Sequence, residues 1–135
     1  MPDPVGYSGK PLIQKLGLKE GQVLKPITPP DGYADWIEPL PLGAVVDAAA
    51  DQADLVHLFV RDLAGLEREA AAALAAVRPG GMLWVSWPKK ASPLFRDLTE
   101  DGLRQVLLPT GWVDVKVCAV SADWSGLKFL RRKAA

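Results

Sequence analysis

No second cysteine accompanies Cys118, so an internal disulfide is excluded and the thiol content suits a reducing compartment. His57 is the sole histidine, and a zinc site would have to be filled out with carboxylates. Net charge is absent as well: Lys+Arg and Asp+Glu both number 16. A balanced chain has no global field to gather nucleic acid or an anionic membrane; neither partner is expected, and charge-driven recognition has to be local. No uninterrupted apolar stretch approaches the ~20 residues that span a bilayer. The opening "MPDPVGYSGK" lacks the apolar run of a signal peptide, which points to the cytoplasm. A phosphate-cradling loop is missing too. "GYSGKP" has a Gly-Lys pair, but no preceding strand, no matching glycine spacing, and proline where serine or threonine is required.

What is present describes one globular domain. The 135 residues are 49% hydrophobic and 24% charged, enough for a single core spanning 1–135 with residues 1–7 flexible. Ser8 is positioned to cap a short helix that carries Pro11 in its first turn and closes at Gly17. "QVLKPI" (22–27) reads as a first strand, "DGYADWIEPL" as a short helix bounded by Pro39 and Pro41, and "GAVVD" (43–47) as a second strand. "DLVHLFV" (54–60) is apolar on both faces, the pattern of a central parallel strand. Asp62 caps a helix whose stripe is Leu63, Leu66, Ala70, Ala73, Leu74 and Val77, ended by Pro79-Gly80-Gly81. "MLWVSW" (82–87) is the next buried strand. Thr99, followed by Glu100 and Asp101, caps a helix that reaches about Leu108 before Pro109 and Gly111. In "WVDVKVCAV" (112–120), Val113, Val115 and Val117 alternate with Asp114 and Lys116, a half-exposed strand near an edge. "LKFLRR" (127–132) returns as its hairpin partner after "SADWSG". The expected fold is α/β: a doubly wound, mostly parallel sheet with one antiparallel strand in a C-terminal β-hairpin.

One connection is too short for its place. Six residues, "AAADQA", separate Asp47 from Asp54. Extended at ~3.3 Å each they reach about 20 Å, whereas returning along a short strand and stepping two strands sideways needs about 16 Å. A bare loop can make that crossing and a helix cannot. Part of one sheet face is then left uncovered, and a homodimer is expected to hide it.

The second half carries a resemblance. "AAVRPGGMLWVSW", "LTEDGLRQVLLPTGWVDVKV" and "WSGLKFLRR" resemble the latter part of a class I methyltransferase-like Rossmann domain, over roughly residues 54–132. In that family a Pro-Gly-Gly turn leads into the fifth strand, and a final hairpin inserts the seventh strand antiparallel. With "GYSGKPLIQKLGL", "WPKKAS" and "DLTED", the whole is similar to a family of small bacterial proteins of unknown function with that fold truncated. The resemblance implies S-adenosylmethionine (AdoMet) as the cofactor, bound at a glycine-rich turn after the first strand. This chain has "KPITPPDGY" there, in which Pro26, Pro29 and Pro30 carry no N–H and only Gly32 offers backbone freedom. The family's Asn/Asp-Pro-Pro-aromatic tetrapeptide after the fourth strand is replaced by "VRDL". No cofactor is expected, and AdoMet stays the alternative.

Ligands of open α/β sheets lie beyond the carboxyl ends of the strands. That rim contains Thr28, Asp31 and Gly32 after the first strand, Asp47 after the second, Arg61 after the third, and Trp87, Lys89 and Lys90 after the fourth. Trp124 enters from the same side. Asp47 stands where the methyltransferase family places an acid on the ribose, although an exposed loop carboxylate explains it as well. Lys89 and Lys90 are either a solvated strand end or an anion site, with Arg61 as company. Trp87 and Trp124 either lid the core or stack on a planar ligand. His57 reads as a hydrogen-bonded core histidine, Cys118 as an inert strand thiol, and Asp47, Asp51 and Asp54 as a solvated connector, not a cation loop. No catalytic or metal-ligating residue emerges. The leading reading is a non-catalytic domain that binds a small anionic, nucleotide-like ligand or a protein partner at the rim. The alternatives are an AdoMet-dependent methyltransferase with a proline-rich cofactor loop, and a purely structural dimeric module.

Overall fold

Six strands form one sheet in the order β2-β1-β3-β4-β6-β5, in a computed structural model that describes residues 10–132. The chain order is α1 (Leu12–Leu16), β1 (Val23–Ile27), α2 (Tyr33–Trp36), β2 (Val45–Val46), β3 (Ala53–Phe59), α3 (Leu63–Ala75), β4 (Val77–Pro88), α4 (Glu100–Leu107), a 3-10 turn (Leu108–Thr110), β5 (Trp112–Ala119) and β6 (Trp124–Arg131). β1, β2, β3 and β4 pair in parallel. β6 is antiparallel to both β4 and β5, so it alone runs against the others. This is the doubly wound sheet with a reversed strand in its terminal hairpin that the sequence leads one to expect.

Alternate residues of the central strands feed two cores. On one face Val56, Leu58, Leu83, Val85 and Phe129 pack under Leu66 and Ala73 of α3 and Leu103 and Leu107 of α4. On the other, Leu24, Leu55, Phe59 and Trp84 pack under Leu12 and Leu16 of α1 and Tyr33 of α2. Such two-sided burial is why β3 and β4 lack polar alternation. α3 and α4 begin where the sequence signals them. The Asp62 carboxylate accepts the Gly65 N–H at 2.8 Å and the Thr99 hydroxyl accepts the Gly102 N–H at 3.2 Å. Gly17 closes α1 in the left-handed region at φ 89°.

Four local expectations are corrected. α1 starts at Leu12 with Pro11 as its N-cap instead of in its first turn; Ser8, expected as the cap, and residues 1–7 lie outside the described residues. Leu63 is exposed and Val77 already belongs to β4, so the α3 stripe is Leu66, Ala70, Ala73 and Leu74. Pro79-Gly80-Gly81 is an irregularity inside β4, not the end of the helix: the pairing jumps from Ala53↔Val77 to Leu55↔Met82. The jump brings Gly81 against β3, where a Cβ would sit 2.6 Å from the Asp54 carbonyl oxygen; only glycine fits. In β5 the register shifts between Asp114 and Lys116, and Val115 and Val117 are exposed instead of sharing a buried face with Val113. A bulge adds a residue and breaks the period of two.

The 47–52 crossover is a bare loop. Beside it Leu42 is 81% exposed, and both residues of β2, Val45 and Val46, are exposed. No helix among the described residues is long and apolar enough to cross a membrane.

Candidate functional site at the carboxyl ends of the strands

The pleat decides which rim residue faces which hollow. Trp87 lies on the α3–α4 face with Leu83 and Val85, whereas Trp124 packs on the α1–α2 face, its ring 5.1 Å from that of Phe59 in an edge contact. Both indoles are buried.

Among the described residues, hollows open around this rim on three sides. The first, 460 Å³, has Trp87, Phe95 and Leu98 as apolar lining, with Lys89, Lys90, Thr99, Glu100, Arg104 and Ser125 around them. Its lysines differ electrostatically from its arginine. Arg104 is saturated by carboxylates: Nε bonds Asp114 at 2.9 Å, Nη1 bonds Asp101 at 3.0 Å, and Nη2 bonds Glu100. These bonds raise its pKa further above an already high value. Neither Lys89 nor Lys90 makes an ion pair with a described residue; the ion pairs belong to Arg68, Arg78, Arg96 and Arg104. The Lys89 backbone N–H donates to the Asp123 carbonyl at 2.8 Å, and the Ser92 hydroxyl donates to the Asp123 carboxylate at 2.8 Å, so the lysine loop is tied to the β5–β6 turn.

The second hollow, 270 Å³, lies between the ends of β1 and β3 and contains Thr28, Arg61 and Trp124 with Arg68 and Arg96. Thr28 takes a left-handed φ of 51°. Its hydroxyl lies 2.6 Å from the Phe59 carbonyl and 2.8 Å from that of Ile27, and donates to one of them. The side chain therefore bridges the two strand ends. The third, 580 Å³, is lined by Asp31, Gly32, Pro26, Ile37, Leu40 and Val46 between α2 and β2. The sequence-derived candidates are thus divided: Trp87, Lys89 and Lys90 share the first hollow, Thr28, Arg61 and Trp124 the second, and Asp31 and Gly32 the third. Asp47 lines none of them, and its carboxylate accepts the N–H of Ala49 in its own loop at 3.0 Å.

Sequence reading missed Phe95, Arg96 and Arg68, because a loop residue's neighbours depend on how the loop folds back. It also missed a buried chain of hydrogen bonds behind the rim. The Tyr33 hydroxyl lies 2.8 Å from His57 Nδ1, and His57 Nε2 lies 2.7 Å from the Ser86 hydroxyl. Neutral imidazole has one donor and one acceptor nitrogen, so one hydroxyl donates to the ring and the other accepts from it. Burial drives the His57 pKa down to about 3 and pushes that of Tyr33 up. Asp54 is also structural: it accepts the Val23 N–H at 2.8 Å and pairs with Arg78 at 3.1 Å. Cys118 is half-buried, and burial raises its thiol pKa, against the influence of Lys15 and Lys116.

No protein-family model matches the sequence, and no curated protein matches it. Solved structures do match in shape. The ribosomal protein L11 methylase of Lactobacillus delbrueckii subsp. bulgaricus superposes with a TM-score of 0.64 at 12% identity, over 90% of this chain and 75% of that one. The N-methyltransferase NodS of Bradyrhizobium japonicum WM9 gives 0.57 at 11%, over 90% and 93%. The magnesium protoporphyrin IX methyltransferase ChlM of Synechocystis PCC 6803, solved with bound SAM, gives 0.59 at 10%, over 89% and 74%. The chain has a methyltransferase-like Rossmann fold. At such identities the likeness extends to fold and no further.

Proposed function

We propose that this chain is a binding domain on a methyltransferase-like fold, and that it takes a small planar anion of the nucleotide type in the Trp87 hollow. The observation that carries this reading is the pair of ammonium groups, Lys89 and Lys90, without a carboxylate partner among the described residues, beside an apolar floor of Trp87, Phe95 and Leu98. An aromatic group would lie against that floor while its phosphate or carboxylate meets the lysines. Arg61, in the neighbouring hollow, adds to the positive potential of the same rim.

The residues present do not fit AdoMet. After β1, Pro29 and Pro30 offer no amide donors, and the Thr28 hydroxyl is spent on backbone carbonyls. A side chain at Gly32, with φ 91°, would meet the Trp36 indole at 3.2 Å, so that glycine serves the α2 turn. Asp47 bonds its own loop and stands apart from all three hollows. These residues supply no step of methyl transfer.

The test is a thermal-shift and calorimetry panel of nucleotides, inorganic phosphate, AdoMet and S-adenosylhomocysteine. A nucleotide at 100 times its Kd should stabilise the wild type by about 2.7 kcal/mol. Lys89→Ala/Lys90→Ala should abolish that gain while leaving the ligand-free melting point nearly unchanged, because neither ammonium is paired with a described residue. A panel in which no nucleotide or phosphate binds removes the small-ligand reading. Micromolar AdoMet binding, worth about 8 kcal/mol, is what the methyltransferase alternative predicts, and calorimetry showing none would end that alternative.

We further propose that Leu42, Val45 and Val46, left exposed where the crossover helix is missing, are covered in a homodimer. A cytoplasmic location accords with the single free thiol. Sedimentation velocity should give a dimer for the wild type and a monomer for Val45→Lys; a wild-type monomer at high micromolar concentration would refute the assembly.

A further inference from the structure

Lysines remote in sequence converge on the α1 side of the hairpin, away from the rim. β5 and β6 pair Lys116 directly with Lys128. Directly opposed residues of an antiparallel pair project from one face, with Cβ atoms about 5 Å apart, and like charges so placed repel. Lys128 also approaches the end of α1: its Nζ lies 4.0 Å from the point where a Cβ on Gly17 would be, and Lys19 follows two residues later. Burial, then the charges of Lys116 and Lys19, hold the Lys128 ammonium below its ordinary pKa. None of the three makes an ion pair with a described residue, and neither does the exposed Glu20 next to Lys19. The fold thus bears an electrostatic cost at this surface that no ion pair among the described residues offsets.

From this juxtaposition we propose that Lys19, Lys116 and Lys128 form a phosphate-binding surface for the backbone of a nucleic-acid strand. Small-ligand sites are concave. Here Lys116 and Lys128 stand on the terminal strand pair and Lys19 on the connection that follows α1, a spread that suits an extended chain of phosphates. Lysine acts on phosphate as a point charge, without the planar fork that reads bases. Among the described residues no exposed aromatic ring lies beside the three lysines to stack on a base. Recognition is therefore electrostatic and independent of sequence. A balanced net charge conceals such a patch, because its members are separated by 97 and 12 positions (116 minus 19, and 128 minus 116) and only the sheet register joins them.

The test is fluorescence anisotropy of a labelled single-stranded oligonucleotide with full-length protein, titrated over a range of salt. Three phosphate contacts give a slope of log K against log salt of about −2. Lys19→Gln/Lys116→Gln/Lys128→Gln should weaken binding about tenfold or more at low salt and flatten the slope. In a Lys89→Ala/Lys90→Ala background, which removes the rim site, the triple change should still weaken binding about tenfold or more, which separates this surface from the rim site. Because Lys128 is half-buried, the double variant Lys19→Gln/Lys116→Gln is measured beside the triple one, with melting curves for both. Unlabelled tripolyphosphate should compete only in large excess. No binding by the wild type at low salt, equal binding by folded wild type and variants, or tripolyphosphate binding tightly where the oligonucleotide does not, would each overturn the proposal.

Discussion

Lowering the pH from 6.5 to 5 is expected to destabilise this protein through His57, with a slope that steepens toward about 1.4 kcal/mol per pH unit and a loss of about 1.6 kcal/mol over that window. The sign follows from where the proton binds. In the fold His57 is fully buried and its pKa is lowered to about 3 by desolvation; in the unfolded chain it returns to about 6.5. Between those values the unfolded state holds a proton that the folded state refuses, so stability rises with pH across the window and levels off above about pH 7.5. Geometry enforces the refusal. Protonation would make both ring nitrogens donors, forcing Tyr33 and Ser86 both to accept at 2.8 and 2.7 Å, in a site closed to water. Urea unfolding at pH 7.5, 6.5, 5.75 and 5 measures the effect above the range in which most carboxylates titrate. His57→Gln should be less stable at pH 7.5, because a buried hydroxyl loses its partner, and should show a much flatter pH dependence. Equal slopes for the two proteins would contradict the assignment.

How much of the molecule is legible in its sequence depends on whether the determinant is local. Asp62 and Thr99 bond amides three residues ahead, and Gly17 needs only its own φ, so these boundaries are written in a few adjacent letters. The six-residue crossover is legible because chain length sets a hard limit on reach. The early start of β4 is not, since it depends on Ala53 pairing with Val77 across 24 positions (77 minus 53). The bulge in β5 likewise hides behind a perfect alternation of valines. The site divides along the same line. The rim residues are identifiable as a set from strand ends, but their partition requires the pleat and the tied-down 89–98 loop. Trp87 stands three residues after Trp84, an odd separation that puts the two on opposite faces. For Tyr33, His57 and Ser86 no short spacing exists to be read; their chain forms only because α2 and two neighbouring strands meet.

Trp84→Ala is the substitution expected to cost most, about 3–5 kcal/mol, which is comparable with the whole stability of a small domain. Trp84 is fully buried in the second core, and its Nε1–H donates to the Leu16 carbonyl at 2.8 Å, linking the central strand β4 to the last residue of α1. Its Cε3 lies 3.2 Å from where a Cβ on Gly126 would be, so the ring also fills the space that glycine leaves on β6. Truncation empties a volume bounded by α1, β4 and β6 and leaves a helix-end carbonyl without its donor. α1 has five residues, too short to persist without tertiary support. Trp84→Phe separates the two losses: it keeps most of the apolar volume and removes only the N–H, and should cost about 1–2 kcal/mol. Hydrogen exchange should then locate the damage, with the Gly17 amide opening more readily in Trp84→Phe while β3 amides keep their protection. If Trp84→Ala lowers unfolding stability by less than about 1 kcal/mol, the ring does not anchor α1 to the sheet. A loss of protection spread evenly over the sheet in Trp84→Phe would show that the bond to Leu16 does not single out α1, because a broken local tether should release the short helix before the strands beneath it.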